Sequence, residues 1–186
     1  LDFKEGGFEN SRDIFLPLLK AKEHIVISIC YSGSKSFSSY GLRLGALIIL
    51  GKNEELINKT IDEQKIYARS SWSNPPSVGL NLFNYLMSDE SLYSNYVNSL
   101  KQQIKVLEQR ASIFISEARN CDLKILPYKA GFFITVLSKN SENDYEELIK
   151  NGIWVVPINN ALRISIAGIS TSKVIGLAKK IKDIIL

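Results

Sequence analysis

The sequence predicts an α/β fold: a mixed sheet with helices, followed by one long helix and a small α+β unit. Three observations carry this expectation. Two apolar runs, at 25–30 and 44–50, are short and almost free of polar residues, as in strands covered on both faces. Between 91 and 118, Leu92, Tyr96, Leu100, Ile104 and Leu107 recur at the spacing of one helical face. Beyond 118, short apolar stretches alternate with short amphipathic ones.

In chain order, a helix is expected over 9–22, with Asn10 or Ser11 as cap and Ile14, Leu16, Leu18 and Leu19 on its apolar side. The strand 25–30 follows, and the second run ends at Gly51-Lys52-Asn53. Helices at 54–69 and 78–87 are separated by Ser73-Asn74-Pro75-Pro76, whose paired prolines force an extended turn. The periodic helix 91–118 would run about 40 Å at ~1.5 Å per residue, long enough to connect two domains. Strands then fall at 123–126 and 132–137 around Gly131, a helix at 144–151 is closed by Gly152, and strands follow at 154–157 and 162–167. A last amphipathic helix, 172–186, turns Val174, Leu177, Ala178, Ile181 and Ile185 inward. The domain reading is 1–87, the connecting helix 88–118, and a small domain 119–186.

With 186 residues the chain is long enough to bury a real core. Its net charge of +4 is spread along the sequence, and the one cluster, Lys179-Lys180-Ile181-Lys182, reads as the solvated face of a helix. No nucleic-acid partner is expected. Cys30 and Cys121 lack any metal or redox spacing and read as buried or half-buried thiols in a reducing compartment. His24 is the only histidine, which excludes histidine metal clusters and histidine-based triads. No run reaches the roughly 18 apolar residues that span a bilayer, and no signal-peptide pattern opens the sequence. A cytoplasmic location without membrane contact is expected. The opening Leu1-Asp2 suggests an internal stretch of something longer.

The chemistry concentrates at Tyr31-Ser32-Gly33-Ser34-Lys35-Ser36-Phe37-Ser38-Ser39-Tyr40-Gly41-Leu42-Arg43-Leu44-Gly45. A lysine on a serine-rich turn at the end of a strand, with an arginine eight residues later, suits a Schiff-base lysine beside a phosphate site. This stretch resembles the lysine motif of the fold-type I pyridoxal 5′-phosphate enzymes, above all the aspartate and aromatic aminotransferases. Their pattern, S-x-S-K-x-F-x-x-Y-x-x-R-x-G, is met by Ser32, Ser34, Lys35, Phe37, Tyr40, Arg43 and Gly45.

Two further blocks are similar to the same family. Arg69-Ser70-Ser71-Trp72-Ser73-Asn74-Pro75-Pro76 resembles R-x-x-Y-S-N-P-P, and Arg163-Ile164-Ser165-Ile166-Ala167-Gly168 resembles R-I-x-x-A-G. The resemblance implies that 1–87 is the C-terminal portion of a cofactor-binding large domain, with 88–118 as the interdomain helix. It implies pyridoxal 5′-phosphate as cofactor, amino acids and 2-oxo acids as substrates, and a homodimer. Lys35 would be the catalytic lysine, with Arg43, Ser32 and Ser34 at the cofactor phosphate and Asp2 at the pyridine nitrogen. Arg163 would grip the substrate α-carboxylate. Arg69, crossing between subunits, would take the distal carboxylate of a dicarboxylic substrate. Phe133 falls where the family has an aromatic near the substrate channel, although one aromatic in an apolar strand is more often plain core.

The chain also departs from the pattern. Glu5 stands where the family has a tyrosine directed at the cofactor phenolate, and a carboxylate there would be repelled unless protonated. Trp72 replaces the tyrosine of the second block. The glycine-rich phosphate turn, the aromatic stacked on the pyridine and the asparagine of the family's first half do not occur, which marks the sequence as a catalytically incomplete C-terminal portion. Other readings are a C–S lyase or decarboxylase of the same fold and a noncatalytic, regulatory homologue. Arg69 favours transamination of a dicarboxylate.

Overall fold

In a computed structural model, which describes residues 13–185, the chain divides between Leu100 and Lys101 into two compact units. The division falls inside one uninterrupted helix, Glu90–Asn120.

The first unit opens with a 3-10 segment, Asp13–Lys20, where the sequence predicts an α-helix. Pro17 lies inside it, and a residue without an N–H cannot complete an α-helical ladder there. Strand β1 (Ile27–Ser32) runs into a single helical turn, α1 (Gly33–Ser36). A 3-10 turn, Tyr40–Leu42, leads to strand β2 (Gly45–Leu50). The strands pair antiparallel, from Ile27 opposite Leu50 to Ser32 opposite Gly45.

Both strands fall where their apolar runs predict, but neither is covered on two faces. Leu47 and Ile48 are 41% and 43% exposed, because among the described residues β1 and β2 form a sheet of two strands only. Cys30, paired with Leu47, is therefore exposed rather than buried.

Helix α2 (Glu54–Ser71) starts at Asn53, whose side-chain oxygen accepts from Leu56 N at 3.1 Å, with Glu54 and Glu55 favoured in the first turn. It ends at Trp72, and the backbone turns at Ser73 (φ 70°) ahead of the two prolines. Helix α3 (Ser77–Ser88) lies against the start of β2 through Gly79, where a Cβ would come within 2.6 Å of Leu44 Cδ2. A side chain there would have to push the Leu44 side chain aside. Helix α4 (Glu90–Asn120) begins immediately afterwards.

The second unit packs the end of α4 against the antiparallel sheet β3-β5-β4, made of β3 (Phe133–Leu137), β4 (Val156–Ile158) and β5 (Ala161–Ser165). Helix α5 (Ser141–Lys150) and two short helices, α6 (Thr171–Val174) and α7 (Leu177–Ile184), complete it. Alternation places Ile134, Val136, Leu162 and Ile164 in a core with Phe114, Leu148, Val174, Ala178 and Ile181.

Most element boundaries shift by one to three residues from the sequence reading, and three features depart further. The stretch 123–126 contributes only an isolated bridge, Ile125 to Val136. Cys121 is half-buried just beyond the end of α4 and opens no strand. The terminal helix is broken in two at Gly176 (φ 78°), whose N–H donates to Glu117 Oε1 at 2.7 Å. That bond satisfies one of the free donors at the start of α7. No helix of the described residues is long and apolar enough to cross a membrane.

Candidate functional site

The serine-rich turn is held by its own backbone. Gly33 N donates to Leu44 O at 2.9 Å, and Gly33 O accepts from Phe37 N at 2.9 Å and Ser39 Oγ at 3.0 Å. The turn around 37–43 is shaped by two residues in the left-handed region, Ser38 (φ 51°) and Arg43 (φ 52°). Non-glycine residues enter that region at a cost, so the surrounding bonds must impose it.

An aromatic cluster supports the turn. The Phe37 ring lies 4.5 Å from Phe83, 5.7 Å from Tyr31 and 6.5 Å from Tyr96, centroid to centroid. Tyr96 Oη donates to Phe37 O at 3.0 Å. Burial, with lesser contributions from Tyr31 and Tyr93, pushes the Tyr96 phenol up to about 12. It therefore remains a donor throughout the physiological range.

This scaffold brings three sequence-selected residues together around Tyr40. Ser34 is buried, and Arg43 Nη1 lies 3.4 Å from its Oγ and 3.0 Å from Tyr40 O. Lys35, half-buried on α1, places Nζ 4.2 Å from the Tyr40 ring centroid, and Arg43 Cζ lies 5.0 Å from the same centroid. The ion pairs among the described residues are Lys65–Asp62, Lys124–Asp122 and Lys150–Glu147, so neither cation here has a carboxylate partner among those residues. Ser32, the last residue of β1, is exposed opposite Gly45. Asp2 and Glu5 lie outside the described residues.

Arg69, in the last turn of α2, is exposed and donates through Nη1 to Ser73 Oγ at 2.9 Å. In the second unit, Arg163 is the middle residue of the central strand β5, opposite Thr135 on one side and Val156 on the other. Its apolar neighbours Leu162 and Ile164 face the core while Arg163 faces outward, so its charge is exposed. The guanidinium stacks on Phe133, Cζ lying 3.6 Å from the ring centroid.

Two residues matter more here than the sequence reading allows. Tyr40 fills a motif position but carries no role in that reading, and Phe133 passes there for core. An aromatic within a few residues of each selected cation was the available signal.

The family model for aminotransferases of class I and II matches residues 3–181. The chain is 29% identical over 163 residues to the mitochondrial aspartate aminotransferase of Dictyostelium discoideum, an alignment covering 82% of this chain and 36% of that protein. It is 27% identical over 154 residues to the aromatic-amino-acid aminotransferase of Escherichia coli (strain K12), covering 80% of this chain and 37% of that one. Among solved structures, an aminotransferase from Anaerococcus prevotii is similar at a TM-score of 0.88 and 25% identity, over 97% of this chain and 44% of that chain. This chain thus spans less than half the length of these relatives. With a three-block motif order, an α/β fold like theirs and a family match from 3 to 181, the chain belongs to the class I and II aminotransferases.

Proposed function

We propose that this chain supplies the cofactor-attachment and carboxylate-binding residues of a pyridoxal 5′-phosphate-dependent aminotransferase. The enzyme moves an amino group between an amino acid, either aspartate or glutamate or an aromatic one, and a 2-oxo acid. One observation carries the reading: two cations, Lys35 and Arg43, with no carboxylate partner among the described residues, meet at one tyrosine ring beside the buried Ser34 hydroxyl. That donor set fits a phosphate ester carrying an aldehyde, since one group is an amine and the other a planar fork suited to phosphate oxygens.

When bound, the cofactor supplies an electron sink that makes the amino acid Cα–H acidic. Lys35 provides the amine for covalent attachment and then, with Nζ free, the base that takes the Cα proton and returns it. Arg43, Ser34 and Ser32 hold the phosphate. Arg163 pairs two parallel N–H donors with the substrate α-carboxylate, and its stacking on Phe133 fixes the plane of that fork. Asp2 is assigned to the pyridine nitrogen, and Arg69 to the distal carboxylate of a dicarboxylic substrate bound by the neighbouring subunit of a homodimer. In this reading 1–87 belongs to the cofactor domain, 88–118 connects, 119–186 is the small domain, and the enzyme works in the cytoplasm.

The test is reductive labelling. After incubation with pyridoxal 5′-phosphate and borohydride, peptide mapping is expected to place the label on Lys35, and the Lys35→Ala chain should lose it. Label scattered over exposed lysines such as Lys52 and Lys59, unchanged in Lys35→Ala, would refute the assignment.

A further inference from the structure

We infer that Tyr40 is a positioning residue, one whose ring sets the spacing between the amine of Lys35 and the guanidinium of Arg43. The inference rests on the cofactor reading above and concerns a residue to which that reading gives no task. Two like charges directed at one small site repel each other. The face of an aromatic ring is negative, and both cations lie over the same ring, at 4.2 Å and 5.0 Å from its centroid. The ring is itself tethered. Arg43 Nη1 donates to Tyr40 O at 3.0 Å, and Tyr40 starts the 3-10 turn between the left-handed residues Ser38 and Arg43.

Tyr40 is 65% exposed, so a core role does not account for an aromatic here. The phenolic oxygen makes no hydrogen bond among the described residues, which leaves the ring face as the working part. Without it, Lys35 and Arg43 would separate. An aldehyde at the amine and a phosphate at the guanidinium would then no longer be matched by one rigid pair.

The experiment compares Tyr40→Leu and Tyr40→Phe with the unaltered chain in two assays. In the first, borohydride-trapped labelling of Lys35 is timed with pyridoxal 5′-phosphate and with pyridoxal, which lacks the phosphate. The ratio of the two rates reports how well Arg43 is placed relative to Lys35. Tyr40→Leu should lower the ratio about two- to fivefold, the worth of a cation–π contact at an exposed site, and Tyr40→Phe should retain it. A general loss of structure would lower the ratio too, so it is read only for variants that keep the circular dichroism and the denaturant midpoint of the unaltered chain.

The second assay uses no cofactor. Acetylation of Lys35, measured against the exposed Lys59 in the same digest, should rise about two- to fivefold in Tyr40→Leu as the amine loses its ring. Should Tyr40→Leu unfold, Tyr40→Gln is read in its place. An unchanged acetylation ratio overturns the inference, as does a Tyr40→Phe chain that behaves like Tyr40→Leu. If the unaltered chain takes no label at Lys35, the cofactor reading fails, and acetylation alone decides on Tyr40.

Discussion

The two units solve the problem of order differently. The unit from 101 onward has a continuous core in which Phe114, Ile134, Leu148, Leu162 and Ile181 are fully buried. In the unit ending at Leu100, the buried apolar side chains among the described residues are Leu44 and Leu100, while Ile66, Trp72 and Val78 are 68%, 65% and 72% exposed. Its lysine turn is fixed by backbone bonds, the Phe37–Phe83–Tyr96 cluster and two left-handed residues instead. The residues assigned to the cofactor thus sit on a locally braced turn, and the arginine assigned to the substrate sits on a rigid central strand. The lesson is that each unit holds its selected residues by its own kind of support, and each should fail in its own way.

The largest expected effect sharpens this contrast. Phe114→Ala should cost about 3–5 kcal/mol, whereas Leu47→Ala on the open β1–β2 sheet should cost under about 1 kcal/mol, since less area leaves water. Chemical denaturation followed by hydrogen exchange in each unit would measure both. Equal losses would mean that the hairpin is covered in solution.

An intermediate effect is expected at the buried pair Ser138–Asp144, where Ser138 Oγ donates to Asp144 Oδ2 at 2.6 Å. Asp144→Ala would leave the serine hydroxyl unsatisfied and should cost about 1–3 kcal/mol, read as a fall in the denaturant midpoint of the 101–185 unit. Ser138→Ala together with Asp144→Ala should recover part of that loss.

The smallest effect lies at Tyr96. Its phenol ionises at about 12 in the fold against 10.0 ordinarily, so the folded state holds its proton where the unfolded chain has lost it. The associated stability is complete below about pH 10 and declines as pH rises toward 12. Tyr96→Phe should flatten that decline and, by removing the bond to Phe37 O, cost about 1 kcal/mol at neutral pH. Phenolate absorbance and denaturant midpoints across the same pH range would show both. A decline unchanged in Tyr96→Phe would place the titrating group elsewhere.

Much of this fold is legible in the residues, and the reason is periodicity. The spacing of Leu92, Tyr96, Leu100, Ile104 and Leu107 announces a helix whose observed span, Glu90–Asn120, exceeds the expectation by one residue at the start and two at the end. The same logic hides the break at Gly176. Val174, Ala178, Ile181 and Ile185 keep a helical rhythm across it, and only a left-handed glycine, held through its N–H by a glutamate 59 residues earlier, interrupts the backbone. Exposure of the β1–β2 strands was not legible either, because an apolar run records what a strand can bury rather than what lies over it. At the candidate site, motif spacing singled out Lys35, Ser34 and Arg43, which lie together around Tyr40. The sharing of one ring by two cations depends on turn geometry at Ser38 and Arg43, which no spacing encodes.

The glutamate that reaches Gly176 has a counterpart two turns earlier on the same face, Arg110, which donates to Ala167 O at 3.1 Å and lies 3.4 Å from Thr171 Oγ1. Each of these bonds joins the long helix to a partner some 57 to 61 residues later in the chain. On a ribosome adding about 5–20 residues per second, that helix emerges about three to twelve seconds before its partners. The apolar stripe of Leu107, Ala111, Phe114 and Ala118 is covered piecemeal as Ile134, Leu148 and finally Ile181 follow it out. Synthesis therefore passes through a window in which the sturdiest unit of the finished molecule still has an open core.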